Sequence, residues 1–489
     1  MSENNTTEQF AEFVRRTEFS ALSDEVVEQT KDYILDSIGC TLGGYSIPEG
    51  LLIARLGRAF GTGTEGTILP SGEKTSPTAA AYVNSQLCNL IDADETLYNY
   101  CHISGVPFFS ALHAAKKTGV SGKEIIAATA LGYEFGQRFM LNFPLLTVNE
   151  EGGTDIAKTS GFGFAAIAAA VAAAKALNLD TEGIRNAMGI AGYHTILPLI
   201  PKWMHTPPPV SIHEYQDIGW FAFVGLISAL WAQDGCEADQ YIVDDFGEFS
   251  FWKAFGMTGF DFDALLSGLG ENWGIMEMGI KPYPCTRWYS TPIYLFKQIM
   301  EKQDLTPDDI TSITVKGHPA MAKAAHITRV LRWDEWSPKN ALNAQFSLSY
   351  NMACAAFDIP IGPRWQLRET LTDPRILEFT KKVTAAKDEK CEQRMIAYLN
   401  SDKPKGKVMT QVHYTIEVDS TKGTFTDTAE YIYGDTYDPE HRLSRDELKE
   451  KFVNNTSAIL DVNTTTELID AIYRLETYDS IDEFVGLFK

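Results

Sequence analysis

The sequence predicts a mainly α protein: a large all-helical domain, an α+β region inserted after about residue 275, and helices that return at the C-terminal end. Three observations carry this. Apolar residues recur three to four apart through most of the first half. Alternating segments, the mark of half-buried strands, appear at 311–317, 408–418 and 423–433. Ser444, followed three residues on by Glu447, then forms a capping-box signature that opens a new helix.

In chain order, residues 6–15 and 24–43 read as helices, the second on Val26, Val27, Tyr33, Ile34, Ile38 and Leu42. Ser23 is its N-cap and Gly43-Gly44 its end. A helix over 76–91 opens at Ser76-Pro77, with proline in the first turn. Helices over 104–118, 122–140, 160–177, 180–192 and 217–235 follow. Residues 165–176 hold nine alanines in twelve positions. Side chains that small let neighbouring helices approach closely, so this is expected to be a central helix. Beyond 275 the spacing predicts a strand at 311–317, helices at 339–356 and 374–383, and strands at 408–418 and 423–433 around Lys422-Gly423. Helices at 444–453, 464–475 and 481–488 close the chain. The expected division is 1–274 plus 444–489 as one discontinuous helical domain, with 275–443 between them.

Composition narrows the function classes. The 489 residues are 44% hydrophobic and 22% charged, which excludes a disordered, collagen-like or simple coiled-coil chain. Asp plus Glu (65) exceed Lys plus Arg (42), for a net charge of −23. Such a chain repels phosphate backbones, so no nucleic-acid partner is expected. Cysteines 40, 88, 101, 236, 285, 354 and 391 stand singly, without a CxxC pair, so they read as reduced thiols and not as a metal site. The first residues lack a basic and then apolar leader, and the most apolar stretches, 161–176 and 219–232, are shorter than the ~20 residues of a membrane span. A soluble, cytoplasmic protein with no membrane partner is expected.

Gly61-Thr-Gly63-Thr-Glu-Gly66 spells a dinucleotide motif, but Thr67-Ile68-Leu69 after it is extended and not helical, so it reads as a surface loop. Three clusters could carry chemistry. Asp92-Ala-Asp94-Glu95-Thr96 follows an apolar helix, and His102 stands ten residues after Asp92. Carboxylates are unfavourable at a helix C-terminus, and a carboxylate that orients an imidazole is a common acid/base device. The plainer alternative is a solvated helix end. Lys281-Pro-Tyr283-Pro-Cys285-Thr286-Arg287 sets two cations and a phenol on a proline-stiffened segment, fit either to receive a carboxylate or to serve as a linker between domains. Residues 194–214 hold His194, Lys202, His205, His213 and Glu214 around Pro207-Pro208-Pro209, with no metal-ligand spacing.

In these clusters the sequence resembles the MmgE/PrpD family, which includes 2-methylcitrate dehydratase, cis-aconitate decarboxylase and iminodisuccinate epimerase. The likeness runs from Leu35-Asp36-Ser37-Ile38-Gly39-Cys40 through Ala79–Asn84, Asp92–Thr96 and His102. It continues through Lys281-Pro-Tyr-Pro-Cys285, Ala344-Gln345-Phe346-Ser347-Leu348 and the segment from Leu443-Ser444 to Lys451-Phe452. The resemblance implies a helical domain with an inserted α+β lid domain and an active site in the crevice. It also implies a homodimer without metal or organic cofactor, and a small carboxylic-acid substrate. The chemistry implied is proton removal next to a carboxylate or imine, followed by elimination, decarboxylation or reprotonation.

By ungapped spacing, Thr159 and Thr286 stand where the family has histidines, and Glu214 where it has an anion-binding lysine. A lysine replaced by Glu214 reverses two charge units, which disfavours a tricarboxylate and points to a less anionic acid. The expected catalytic residues are His102, Asp92 and Glu214. Those expected to bind substrate are Thr96, Lys281, Arg287, Tyr283 and Thr159. Glu214 is either a second acid/base facing His102 or a partner of Lys158 or Lys202 that fills a vacated site. The functional expectation is a lyase or isomerase of dehydratase, decarboxylase or epimerase type. The alternative is a non-catalytic relative that binds a metabolite or a protein.

Overall fold

A computed structural model of the chain describes residues 5–97, 102–115, 119–143, 146–157, 161–196, 217–257, 259–319, 321, 341–402, 405–435 and 439–488. Helix starts follow side chains that satisfy their free backbone N–H groups. Ser23 accepts from Val26 N at 3.3 Å and opens Asp24–Tyr45. Ser76 accepts from Ala79 N at 3.2 Å and opens Pro77–Leu90. Capping boxes of Ser121 with Glu124 and of Ser444 with Glu447 open Gly122–Met140 and Arg445–Thr456. With Thr6–Arg16, Pro48–Gly57, Val106–Ala115, Ala165–Ala176, Thr181–His194 and Ile218–Gln233, these make the chain mainly α, as the sequence predicts.

The alanine-rich helix lies at the centre, with all its residues buried except Lys175. It packs closely on Ile218–Gln233 because Gly225 has no side chain; a Cβ there would stand 2.1 Å from Ala169 Cβ. Around it runs one hydrophobic core from Phe10 to Ile280, joined by Leu448, Phe452, Leu468, Ile472 and Phe484 of the last helices. A second core gathers Leu146 with residues from Tyr283 to Ile432.

The second core is built on a four-stranded sheet in the order Gly423–Ala429, Tyr414–Ser420, Ile310–Gly317, Val383–Lys387. Its pairs are antiparallel except the last, which is parallel. Ile310, Ile313 and Val315 point inward from the central strand. Helix Ser290–Lys302 joins this core through Ile293, Phe296 and Ile299.

Several expectations are corrected in detail. The expected helix 374–383 stops at Phe379, and Val383–Lys387 is a strand, made so by its parallel ladder to Ile313–Gly317. Residues 408–411 belong to a 3-10 turn, and the strand begins at Tyr414. The expected helix 339–356 breaks after Gln345, because Ser347 caps a new start by accepting from Tyr350 N. Helix Glu389–Leu399, capped by Asp388, was not expected. Thr62–Glu65 are exposed and lead into the strand Gly66–Ile68, so the glycine-rich stretch opens no helix. No described helix is long and apolar enough to cross a membrane.

Candidate active site

The site begins where helix Pro77–Leu90 ends. Asp92 adopts φ of +53°, a left-handed conformation that aspartate tolerates better than most residues, at roughly 1–3 kcal/mol. The turn is held from several directions. Gln345 Nε2 donates to Leu90 O and Gln366 Nε2 to Ile91 O, both at 2.8 Å, and so satisfies carbonyls that the helix end leaves open. Lys451 Nζ donates to Ala93 O and to the Asp36 carboxylate. Glu95 and Thr96 then pair antiparallel with Ile280 and Gly279. That register brings the next residue, Lys281, to the acids: its Nζ is 2.6 Å from Asp92 Oδ1 and 3.6 Å from Asp94 Oδ1.

His102 lies against the same turn. Its Nδ1 is 3.1 Å from Asp94 Oδ2 and 3.0 Å from the Glu95 carbonyl oxygen. Both neighbours are acceptors, so Nδ1 carries the hydrogen, and the lone pair of the neutral ring is on Nε2. Nε2 stands 3.9 Å from Asp92 Oδ1. The Phe162 ring stacks on the imidazole at 5.9 Å. Asp94 also accepts from Asn89 Nδ2 at 3.1 Å and from Ser104 Oγ. Glu95 Oε1 accepts the backbone N–H groups of Ile103 and Ser104. Ser104 and Gly105 have φ of +49° and +66°, which delays the expected helix at 104 until Val106.

Burial splits the carboxyls of this turn. Desolvation pushes Asp94 up, but the charges of His102 and Lys281 and its hydrogen bonds outweigh it and hold the group well below the usual carboxylate range. Glu95, pushed up by burial and by the charges of Asp94 and Asp36, lies well above that range. Asp92 is raised, by burial against the pull of Lys281 and His102. Burial lowers Lys281, yet Asp92 and Asp94 more than offset this, so it stays an ammonium. Neighbouring acids driven in opposite directions are a mark of acid/base sites. Asp92, Asp94 and His102 place ligand-type atoms within 4.8 Å of one another, a spacing that suits a cation. The Lys281 ammonium already provides positive charge there.

The other expected residues divide. Thr96 is buried in the two-residue strand, and its hydroxyl donates to Leu97 O at 3.4 Å. Arg287 donates to Leu97 O and to the Asp435 carboxylate, so it braces Leu97. Burial lifts Asp435 to about 6, against the pull of Arg287. Tyr283 stacks on Trp365 at 5.9 Å within the second core. Thr286 is buried, with its N–H on Gln345 O at 3.1 Å. Thr159 and Glu214, together with Lys158, Lys202, His205 and His213, lie outside the described residues.

Asp92, expected beside the imidazole, stands 3.9 Å from Nε2, while the carboxylate on Nδ1 is that of Asp94. Asp36, Lys451, Gln345 and Gln366 carry no site role among the sequence expectations. A signal existed for Asp36, an acid in a helix stretch otherwise lined by Ile34, Leu35 and Ile38. None existed for its pairing with Lys451, 415 residues away.

Comparison with known proteins bears on the whole chain. The MmgE/PrpD N-terminal domain model matches residues 8–262, and the MmgE/PrpD C-terminal domain model matches 283–476. A human cis-aconitate decarboxylase is 24% identical over 500 residues, covering 99% of this chain and 94% of its own. The mouse cis-aconitate decarboxylase is 25% identical over 507 residues, covering 99% and 93%. That of Aspergillus terreus is 23% identical over 390 residues, covering 76% of each. With both domain models matched in order over most of its length, the chain belongs to the MmgE/PrpD family.

Proposed function

We propose that the protein is a lyase acting on a small carboxylic acid, with His102 as the group that moves a proton at the carbon next to a carboxylate. The observation that carries this is the buried imidazole held at Nδ1 by Asp94 and flanked at Nε2 by Asp92, with Lys281 beside both acids. Asp94 accepts from Nδ1 and stabilises the imidazolium, so Nε2 can take or give the proton. Such transfer contributes roughly 10²–10⁴-fold in rate. Full-length likeness to cis-aconitate decarboxylases supports the lyase reading over an epimerase.

In a decarboxylation the C–C bond to the carboxylate breaks, CO₂ leaves, and the electron pair left on carbon takes the proton from imidazolium. In a dehydration the neutral imidazole removes the C–H proton, and the pair forms C=C as hydroxide leaves. Asp92 suits a supporting role. When it takes up a proton from the imidazolium, Lys281 loses the nearer of its two counter-charges, Asp94 remaining at 3.6 Å, and its ammonium can meet the substrate carboxylate. The body formed by 1–274 and 444–489 carries the acids and His102, and the inserted 275–443 segment supplies Lys281 and acts as a lid.

The test is a panel of small di- and tricarboxylic acids, cis-aconitate among them, in deuterated water, read for CO₂ or water loss and for C–H exchange. The expected result is turnover of at least one acid, abolished in a folded His102→Gln variant. Full turnover by that variant would reject the role of His102. Silence of the wild type in both readouts across the panel would place the protein instead among non-catalytic relatives that bind a metabolite or a protein.

A further inference from the structure

Lys451 is a charged side chain beside the site that the proposed chemistry does not use. It comes from Arg445–Thr456, near the end of the chain, and is nearly buried, yet its ammonium reaches the Asp36 carboxylate and Ala93 O. Ala93 is the residue between the two acids that face His102. We propose that Lys451, with Asp36 as its counter-ion, is a positioning residue that locks the Asp92–Asp94 turn in the conformation that holds the imidazole. This deepens the lyase reading and rests on it for its functional consequence.

Two lines of argument support the assignment. The first is conformational. A non-glycine residue at φ of +53° persists only where its surroundings over-determine it. Here the carbonyls of Leu90, Ile91 and Ala93 are each taken by a side chain from a distant segment: Gln345, Gln366 and Lys451. The two glutamines fix the approach to Asp92, and Lys451 alone of the three fixes the exit. A peptide that rotated about Asp92 would carry Ala93 O away from Lys451 and Asp94 Oδ2 away from His102 Nδ1, because the two acceptors lie on consecutive residues.

The second is energetic. A buried ion pair is poor evidence of stabilisation, since apolar replacement of both partners is often neutral or better. Lys451 and Asp36 are both buried, and Asp36 Oδ2 has no hydrogen-bond partner among the described residues. What this pair does achieve is to place a donor under the one carbonyl between Asp92 and Asp94. The positive charge also lies close enough to Asp94 for the two to interact, which helps keep that acid ionised.

The experiment compares Lys451→Met, the charge-free double variant Asp36→Leu with Lys451→Met, and Lys451→Arg in the full chain. Removing both charges avoids an unpaired buried carboxylate, so the double variant keeps the test open if Lys451→Met does not fold. Folding is followed by thermal melting. The first readout needs no substrate: the downfield proton resonance of a His102 Nδ1–H bonded to a carboxylate, assigned by its loss in Asp94→Asn. The second is the division between kcat and KM on whichever acid turns over. In the folded double variant the resonance is expected to vanish and kcat to fall about 100-fold, the scale of an ångström-sized misplacement, with KM within about 3-fold. Lys451→Arg is expected to keep the resonance and most of kcat. A folded double variant that keeps the wild-type resonance overturns the proposal. If no acid turns over, the resonance alone decides, so failure of the lyase reading is distinguishable from failure of this one.

Discussion

Glu134 and Arg138 stand one turn apart on helix Gly122–Met140 and bury opposite charges, as the turn at Asp92–Asp94 does with Lys281, but the two regions are wired differently. Arg138 Nε donates to Glu134 Oε1, while Glu134 Oε2 accepts from Gly274 N at 2.6 Å and Ile275 N at 3.3 Å. The remaining nitrogens of Arg138 reach five carbonyls, among them Ser267 O at 2.7 Å and Asn272 O at 2.6 Å. One acid meets one base, and both carboxylate oxygens are used. Around Asp92 the carboxyls of Asp36, Asp92 and Asp94 meet the ammonium groups of Lys281 and Lys451, and Glu95 lies beside them on the backbone N–H groups of Ile103 and Ser104. Asp36 Oδ2, Asp92 Oδ2 and Glu95 Oε2 have no hydrogen-bond partner among the described residues. Unsatisfied buried oxygens are costly, and two of these three belong to the turn that carries the proposed acid/base site. The satisfied clamp fastens the segment 264–275 to the helical body.

The contrast breaks most sharply at His102. His102→Gln should lower kcat about 10²–10⁴-fold with an unchanged melting transition, whereas a large loss of stability would make this turn a second clamp. At the clamp the pattern should invert. Arg138→Met leaves Glu134 buried and unpaired, at about 3–5 kcal/mol in urea unfolding, with turnover per folded molecule within about 2-fold of wild type. A large drop in that turnover would show the clamp to be part of the site.

Asp435 sharpens the comparison through pH. Its carboxyl sits at about 6 when folded, against an unperturbed value of 3.8, so the folded state binds this proton more tightly. The contribution is full below about 4 and is lost as pH rises through about 6, on the order of 2–3 kcal/mol. Urea unfolding of wild type and Asp435→Asn across that window should diverge, the wild type losing stability relative to the variant as pH rises. Parallel curves would mean that Arg287 keeps the group ionised throughout.

The smallest effect is expected at Glu95, held well above the usual range and so protonated at acidic pH. Glu95→Gln replaces one neutral group with another and should change stability at pH 5 by less than about 1 kcal/mol. A raised folded pKa favours the wild type less as pH climbs above its unfolded value, so the variant should gain relative to wild type by pH 8. Destabilisation at both pH values would show the carboxylate to be ionised and needed.

Much of this was legible in the sequence where the cause is local. Ser23, Ser76 and the Ser444–Glu447 box cap the helices they announce. The alanine run is the central helix, and the acids after Leu90, with His102 and Lys281, meet at one turn. Illegible parts depend on distant partners. Val383–Lys387 carries too little pattern of its own and becomes a strand only beside Ile313–Gly317. Asp94 and Asp92 are two residues apart in a turn, and only its φ of +53° at Asp92 decides which meets Nδ1 and which meets Lys281. Gln345 and Gln366 look like ordinary polar residues until they are found on Leu90 O and Ile91 O.

The reach of Lys451 back to Asp36, across 415 residues, also orders events during synthesis. The acids of the site leave the ribosome first, Lys281 after them, and Lys451 last. Until that lysine is out, Asp36 has no ammonium beside it and helix Asp24–Tyr45 has no Arg445–Thr456 to cover it. A nascent or prematurely terminated chain therefore carries an incomplete body with uncompensated acids at its centre.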